Sequence, residues 1–364
     1  MKPQNLLVDE HWNVKVCDFG LSQVKLREEK IRDGKSIPGT PLWMAPEVLL
    51  GKDVDEKADV YSYGIVLWEI ISGQEPFPHM DSYGTFKRAI TKENERPAIP
   101  AETHPSLKAL MESCWHPDPT KRPSFTQIIP ILDSVLVDCL VDDPVANRFW
   151  KDNYLGHDHA LWGDFAKRLA SLLNLPAPNT KDLNFLCLKK ILTVPNKEPN
   201  PKDPDVVPLE KFGHIINWFG PVIRDHKGFS ILDKIRVLMQ KEWFHGDIDK
   251  QRAEDLLSGQ SKGTFLVRTS TTAKNAPFTI SKVSKKGKIN HQRISKRPDN
   301  TFEIQIIYAS SGKTKTEVSK DDSLIPFIKQ LSDELYLEHA CPGSVFKALF
   351  LQTKVEGYLA TDDD

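Results

Sequence analysis

Apolar positions along this 364-residue chain recur with two different periods. Trp162, Phe165, Leu169, Leu172 and Leu173 step by threes and fours. So do Leu209, Phe212, Ile215, Ile216 and Phe219, and then Ile231, Ile235 and Leu238. That spacing gathers the apolar side chains on one face of a 3.6-residue turn, so three amphipathic helices are expected. Pro208 stands where the second could begin. Leu324, Phe327, Ile328 and Leu331 repeat the pattern and predict one more helix. Around residue 266 the period changes to two. Phe265 and Val267 alternate with Leu266 and Arg268, as a strand requires. Five prolines between Pro195 and Pro208 predict a loop there. The longest apolar run, Gly64 to Ile71, is broken by Glu69 and is too short to span a bilayer.

The length suits two to three domains. Lys plus Arg number 49 and Asp plus Glu 50, leaving a net charge of −1, so no global field points to nucleic acid or to a membrane surface. Five cysteines (Cys17, Cys114, Cys139, Cys187, Cys341) are scattered without metal-ligand spacing and read as reduced thiols. Met1 leads straight into domain-like sequence with no signal peptide. A cytoplasmic protein is expected, without an integral membrane segment.

The N-terminal motifs carry chemistry. Lys2-Pro3-Gln4-Asn5 is followed by Cys17-Asp18-Phe19-Gly20, then by Gly39-Thr40-Pro41-Leu42-Trp43-Met44-Ala45-Pro46-Glu47. Asp59-Val60-Tyr61-Ser62-Tyr63-Gly64, Cys114-Trp115 and Asp118-Pro119-Thr120-Lys121-Arg122-Pro123 complete the set. In this order they resemble the large lobe of a protein kinase over residues 1–137, from the middle of the catalytic loop onward. The resemblance implies that Lys2 faces the transferred phosphoryl group and that Asn5 and Asp18 hold magnesium ions. It also implies a buried Glu47–Arg122 ion pair, and an Asp59 that accepts backbone N–H bonds from the catalytic loop. Lys-Pro-Gln-Asn and Gly39-Thr40 are of the serine/threonine kind, while the run to Trp68 and Cys114-Trp115 is of the tyrosine-kinase-like kind, so serine/threonine or dual specificity is expected. Ser36 and Thr40 are candidate activation-loop phosphosites; the alternatives are a plain loop serine and a substrate-contact threonine. The catalytic Asp, the Gly-rich loop and the strand lysine are absent from the sequence. The chain by itself is therefore expected to be inactive and to bind no cofactor, with ATP and Mg²⁺ belonging to a longer form of which it is the C-terminal part. A non-catalytic adaptor with a dead half-lobe is the alternative. A pseudokinase scaffold is disfavoured because Asn5 and Asp18 are both kept.

A second group of motifs begins at Trp243-Phe244-His245-Gly246-Asp247-Ile248. Arg252-Ala253-Glu254-Asp255-Leu256-Leu257 and Gly263-Thr264-Phe265-Leu266-Val267-Arg268-Thr269-Ser270 follow. An arginine among apolar strand residues points into a pocket and needs an anion there, because an isolated buried charge is not tolerated. Its planar fork matches two phosphate oxygens at once. The three motifs together resemble a Src-homology-2 (SH2) domain over residues 243–341. That resemblance implies phosphotyrosine binding through Arg268, with hydroxyls from Ser270 and the Thr271-Thr272 loop. His291 matches the strand histidine and Arg293 the basic residue beside the tyrosine ring. Lys250 falls where an arginine often stands. His291 as a packing residue and Lys250 as a solvated helix charge remain open. Residues C-terminal to the phosphotyrosine are expected against Phe302 and its following strand. Lys285-Lys286-Gly287-Lys288 and Lys313–Lys315 read as hairpin turns facing water.

Residues 142–240 are expected to be a packed helical spacer, vaguely resembling the degenerate EF-hand-like segment of the Cbl family. Asp203-Pro204-Asp205-Val206-Val207 has neither the ligand count nor the glycine of a calcium loop. Residues 342–364 are expected to be a tail. Kinase lobe, helical spacer and C-terminal SH2 domain, in that order, resemble the Shk family of amoebal kinases. The fold class expected is α+β: an incomplete, mostly helical kinase large lobe, a helical spacer, then a central antiparallel sheet flanked by two helices. Expected partners are phosphotyrosine proteins and a protein substrate on Ser, Thr or Tyr, with recruitment to membrane complexes only through such partners.

Overall fold

Helical segments dominate the first part of the chain. The computed structural model describes residues 1–17, 42–80, 82–197, 204–223, 228, 230–269, 276–307 and 314–350. The chain divides into two units, Met1–Leu136 and Val137–Asp364. In the first, a 3₁₀ turn at Pro3–Asn5 leads into an antiparallel hairpin, β1 (Leu6–Val8) and β2 (Val14–Val16), registered Leu6↔Val16. Helices α1 (Pro46–Leu49), α2 (Lys57–Ser72), α3 (Tyr83–Arg88), α4 (Pro105–Cys114) and α5 (Phe125–Leu140) follow. α2 is the motif-bearing apolar run, and Val60, Tyr61, Ile65, Val66 and Trp68 bury on several of its sides. At Gly64 a Cβ would lie only 2.8 Å from the Cβ of Cys114, so the glycine lets α4 approach α2 closely. The division between the units falls inside α5.

The second unit begins with α6 (Pro144–Tyr154), β3 (His159–Leu161), α7 (Trp162–Leu172), α8 (Leu183–Leu192), β4 (Val194–Pro195), β5 (Asp205–Pro208), α9 (Leu209–Phe219) and α10 (Ile231–Met239). Three of these helices, α6, α8 and α10, start at a capping side chain. Asp143 accepts from the Ala146 N–H, and Ser230 with Asp233 forms a reciprocal capping box. The proline-rich stretch is not a loop at its ends: β5 pairs with both β3 and β4, with Pro195 opposite Asp205 and Pro208 opposite His159. Proline is tolerated there because it sits at strand ends, where a missing N–H breaks no interior ladder. Residues 198–203, including Asp203, lie outside the described residues, and Asp205 is paired with Lys189 at 2.8 Å.

β6 (Phe244–Gly246), α11 (Lys250–Leu257), β7 (Thr264–Thr269), β8 (Phe278–Val283), β9 (Ile289–Lys296), β10 (Phe302–Ile307), β11 (Thr314–Val318), α12 (Leu324–Gln330), α13 (Ser332–Leu335) and β12 (His339–Ala340) complete the unit. Among the described residues the sheet runs β11-β10-β9-β8-β7-β12, with β6 also on β7. Pairing is antiparallel except at β6–β7 and β12–β7. The period-two pattern sorts the two faces. Leu266 packs with Ala253 and Leu257 of α11, while Phe265 and Val267 join the large core with Phe327 and Ile328 of α12.

That large core does not stop at the expected boundary near residue 240. Phe149, Phe165, Phe212 and Phe219 of the helical segment and Phe278, Phe302 and Phe327 of the sheet domain belong to one cluster. Phe278 lies 6.1 Å from Trp218 and 6.0 Å from Phe219 between ring centroids. The expected tail also begins too early. Phe346 is 3% exposed and stacks on Phe244 at 5.6 Å, and Ser344 donates to the Phe244 carbonyl at 2.6 Å. A ring that covers β6 belongs to the domain it covers.

Candidate functional site

In the second unit the strand register assembles a row of side chains on one face. Arg268 pairs with Thr279, and Thr279 pairs with Arg293, so two guanidinium groups flank one threonine across three strands. One step along the same face, Leu266, Ser281 and His291 make the next row. Over this face lies α11, whose N-cap Asp249 accepts from the Arg252 N–H. Arg268 Nη1 donates to the Ile248 carbonyl at 3.3 Å, and Arg268 Nε is buried with no partner. Burial draws the guanidinium below its ordinary pKa; Asp249 opposes that and Arg293 adds to it. A partly buried cation with an unused donor, and a second cation with one strand between them, form an arrangement that can accept an anion.

His291 does something different. Its Nδ1 meets Ser281 Oγ at 2.8 Å and its Nε2 meets Glu254 Oε1 at 3.1 Å. Both ring nitrogens are engaged, so the imidazole ties α11 to β9. The His291 bond, together with nearby Lys250, holds the Glu254 carboxyl below its ordinary range although burial opposes it. Lys250, at the start of α11, stands 3.5 Å from Glu254 with a mostly exposed side chain. Arg293 is exposed at the rim. Phe302 does not line the site: it is 2% exposed and packs against Phe278 in the core. The outward residues of β10 are Glu303, Gln305 and Ile307 instead, because the alternation puts Phe302, Ile304 and Ile306 inward. Ser270, Thr271 and Thr272 lie outside the described residues.

In the first unit the Asn5 N–H donates to Lys2 O at 3.0 Å, and the Asn5 carbonyl accepts from the Cys17 N–H at 2.8 Å. The second bond holds the residue before Asp18 against the Asn5 segment. Asp18 itself, Ser36 and Thr40 lie outside the described residues. Glu47 and Arg122 meet as a buried fork, Nη1–Oε1 2.6 Å and Nη2–Oε2 2.9 Å. Arg122 also donates to the carbonyls of His116 and Lys57. Asp59 accepts from the nitrogen of Met1 at 3.1 Å, and its carboxylate is mostly exposed rather than buried.

Several residues here were not singled out from sequence. Tyr61 lies between Arg96 and Arg122, each about 5 Å from its ring centroid, and burial pushes the Tyr61 hydroxyl up to about 12. Only the fold brings those three together. Glu254 and Ser281 were findable: Glu254 stands four residues after Lys250 on one helix face, and Ser281 shares the Leu266 side of its strand.

Residues 1–132 match the protein tyrosine and serine/threonine kinase family, and residues 243–315 match the SH2 domain family. The dual specificity protein kinase shkA of Dictyostelium discoideum is 41% identical, an alignment that covers 99% of this chain and 68% of that protein. From the same organism, shkC is 42% identical over 85% of this chain and 62% of its own length, and shkD is 38% identical over 92% and 43%. The chain thus spans between less than half and about two thirds of these relatives. A kinase match, an SH2 match and that likeness across nearly the whole chain place it in one family: it belongs to the Shk dual specificity protein kinases.

Proposed function

We propose that the second unit reads phosphotyrosine, with Arg268 as the anchor, and that it delivers the kinase lobe to proteins already phosphorylated on tyrosine. The observation behind this is the buried, partnerless Nε of Arg268 in a row with Thr279 and Arg293. A phosphate dianion would take the fork of Arg268, and Arg293 would stand beside the tyrosine ring. Ser270 and Thr272 would add hydroxyl donors. Lys250 and His291 would act at one remove, through Glu254: the pair orients α11 over the site. On the kinase side Lys2 would face the transferred phosphoryl group, and Asn5 with Asp18 would hold Mg²⁺. An amide oxygen and a carboxylate suit that hard cation, which with ATP would supply the charge stabilisation of phosphoryl transfer. The substrate would be a serine, threonine or tyrosine hydroxyl of a protein, in keeping with the names of the relatives. No helix among the described residues is long and apolar enough to cross a membrane. Any membrane attachment in this reading comes through phosphotyrosine partners in the cytoplasm.

Binding of the chain to immobilised phosphotyrosine peptide tests the anchor. Arg268→Ala should weaken retention by roughly a hundredfold or more, since charge-assisted hydrogen bonds contribute about 1.5–3 kcal/mol each. Arg268→Lys should fall between, keeping the charge and losing the fork. Equal retention of parent and Arg268→Ala would remove the pocket assignment.

A further inference from the structure

Four aromatic side chains meet where α9 runs into the sheet domain: Trp218 and Phe219 from the helix, Phe278 from β8 and Phe302 from β10. Phe278 sits among the others, its ring centroid 6.1 Å from Trp218, 6.0 Å from Phe219 and 5.8 Å from Phe302. Rings packed against one another cannot turn to fill the space beside them, and a cavity of about 270 Å³ remains there. Leu238 of α10 and Ile325 of α12 close its sides. Its floor is buried, whereas Asp233, Asp321 and Asp322 are half-buried and Pro326 is exposed, so the cavity opens to solvent at that rim. It lies on the face of the sheet opposite Arg268, because Phe278 and Arg268 stand on alternate pairs of the β7–β8 ladder.

An apolar cavity of about 150 Å³ stays dry and takes up benzene, so this one has room for a two-ring molecule. The rim sets the charge of that molecule. Lys234 is paired with Asp322 at 3.0 Å, Asp321 accepts from the Ser323 N–H, and Asp233 stands 3.7 Å from Arg236. These three carboxylates outnumber the two cations, and Lys296 and Asp142 nearby offset each other. The field at the mouth therefore repels an anion and attracts a cation. Trp218 supplies the aromatic face most attractive to a cation. We propose that this cavity binds a small hydrophobic amine, its ring system among the four aromatic side chains and its ammonium at the aspartate rim. The site stands apart from the Arg268 row and does not rest on the phosphotyrosine reading.

The test is calorimetric titration of the whole chain with three probes that share one ring system: tryptamine, indole and indole-3-propionate. Tryptamine should bind tightest, about threefold or more above indole, the gain that a rim charge and a cation–π contact give together. Indole-3-propionate should bind weakest. Asp321→Asn keeps an acceptor for the Ser323 N–H, so it should leave indole unchanged and bring tryptamine toward it. Ile325→Trp, which fills the cavity from its half-buried wall, should bind neither. No tryptamine binding by the parent, or tryptamine bound no tighter than indole-3-propionate, overturns the proposal. So does tryptamine binding that Asp321→Asn leaves at parent strength, or that persists unchanged in a folded Ile325→Trp.

Discussion

Arg122 shows how a single residue can hold a fold without touching its chemistry. It is 2% exposed, and its donors are engaged by Glu47, the His116 carbonyl and the Lys57 carbonyl. A buried cation is stable only with such a full set of acceptors. Glu47→Gln removes the countercharge and keeps the shape, so the loss should be about 3–5 kcal/mol, the usual result of stranding one buried charge. Urea unfolding of the chain measures it. Arg268 is only partly buried and differs from Arg122 in what surrounds it: its Nε has no partner, whereas each nitrogen of Arg122 meets an acceptor.

Between elements, α9 is the organiser of the second unit. At Gly213 a Cβ would come within 2.2 Å of the Leu140 carbonyl oxygen, so α9 can rest directly on the end of α5 only because that residue is glycine. Asn217 completes the join, donating to Leu140 O and accepting from the Asp142 N–H, each at 3.0 Å. At its C-terminus Lys296 of β9 donates to the carbonyls of Asn217 and Trp218, satisfying acceptors that a helix end leaves open. Burial, with Lys234 adding, pushes the Lys296 amine down to about 8 from an ordinary 10.5. Between those values the unfolded chain binds the proton more tightly, so raising the pH favours the folded state. That gain is lost as pH falls through about 8. Lys296→Met should lack it: the stability of parent minus variant should grow between pH 7 and pH 10, read as the difference in urea midpoints. A constant difference would mean that Lys296 keeps an ordinary pKa.

At the scale of the molecule, the helical segment and the SH2 domain of the second unit share one buried core. Trp218 and Phe219 pack against Phe278, one residue from Thr279 in the Arg268–Thr279–Arg293 row. Trp218→Ala should cost about 3–5 kcal/mol, the usual range for emptying a buried aromatic site. The second unit should still unfold in a single transition, reported alike by a probe in α7 and a probe in β9. Separate transitions for the two probes would show two independent domains. An SH2 domain that shares a core with its helical support holds a fixed angle to that support, as an isolated module on a flexible linker cannot.

Much of this was legible from residue order. Period-three-and-four spacing marked α7, α9, α10 and α12, and period-two spacing put Leu266 and Arg268 on one side of β7 and Phe265 and Val267 on the other. Local spacing suffices for these because helix and strand geometry are local. It was silent on the single core shared across residue 240, since an apolar face reads the same whichever neighbour covers it. It placed Pro195 and Pro208 in a loop because strand pairing depends on a partner distant in sequence. It ended the last domain before Phe346, whose burial depends on Phe244 about a hundred residues earlier. Residue order by itself determined which side chains can bear charge, phosphate or a hydrogen bond. Tertiary structure decided which of them are left unpaired, because desolvation and register are set only when distant strands meet: Arg268 Nε is the atom of the candidate site where that decision shows.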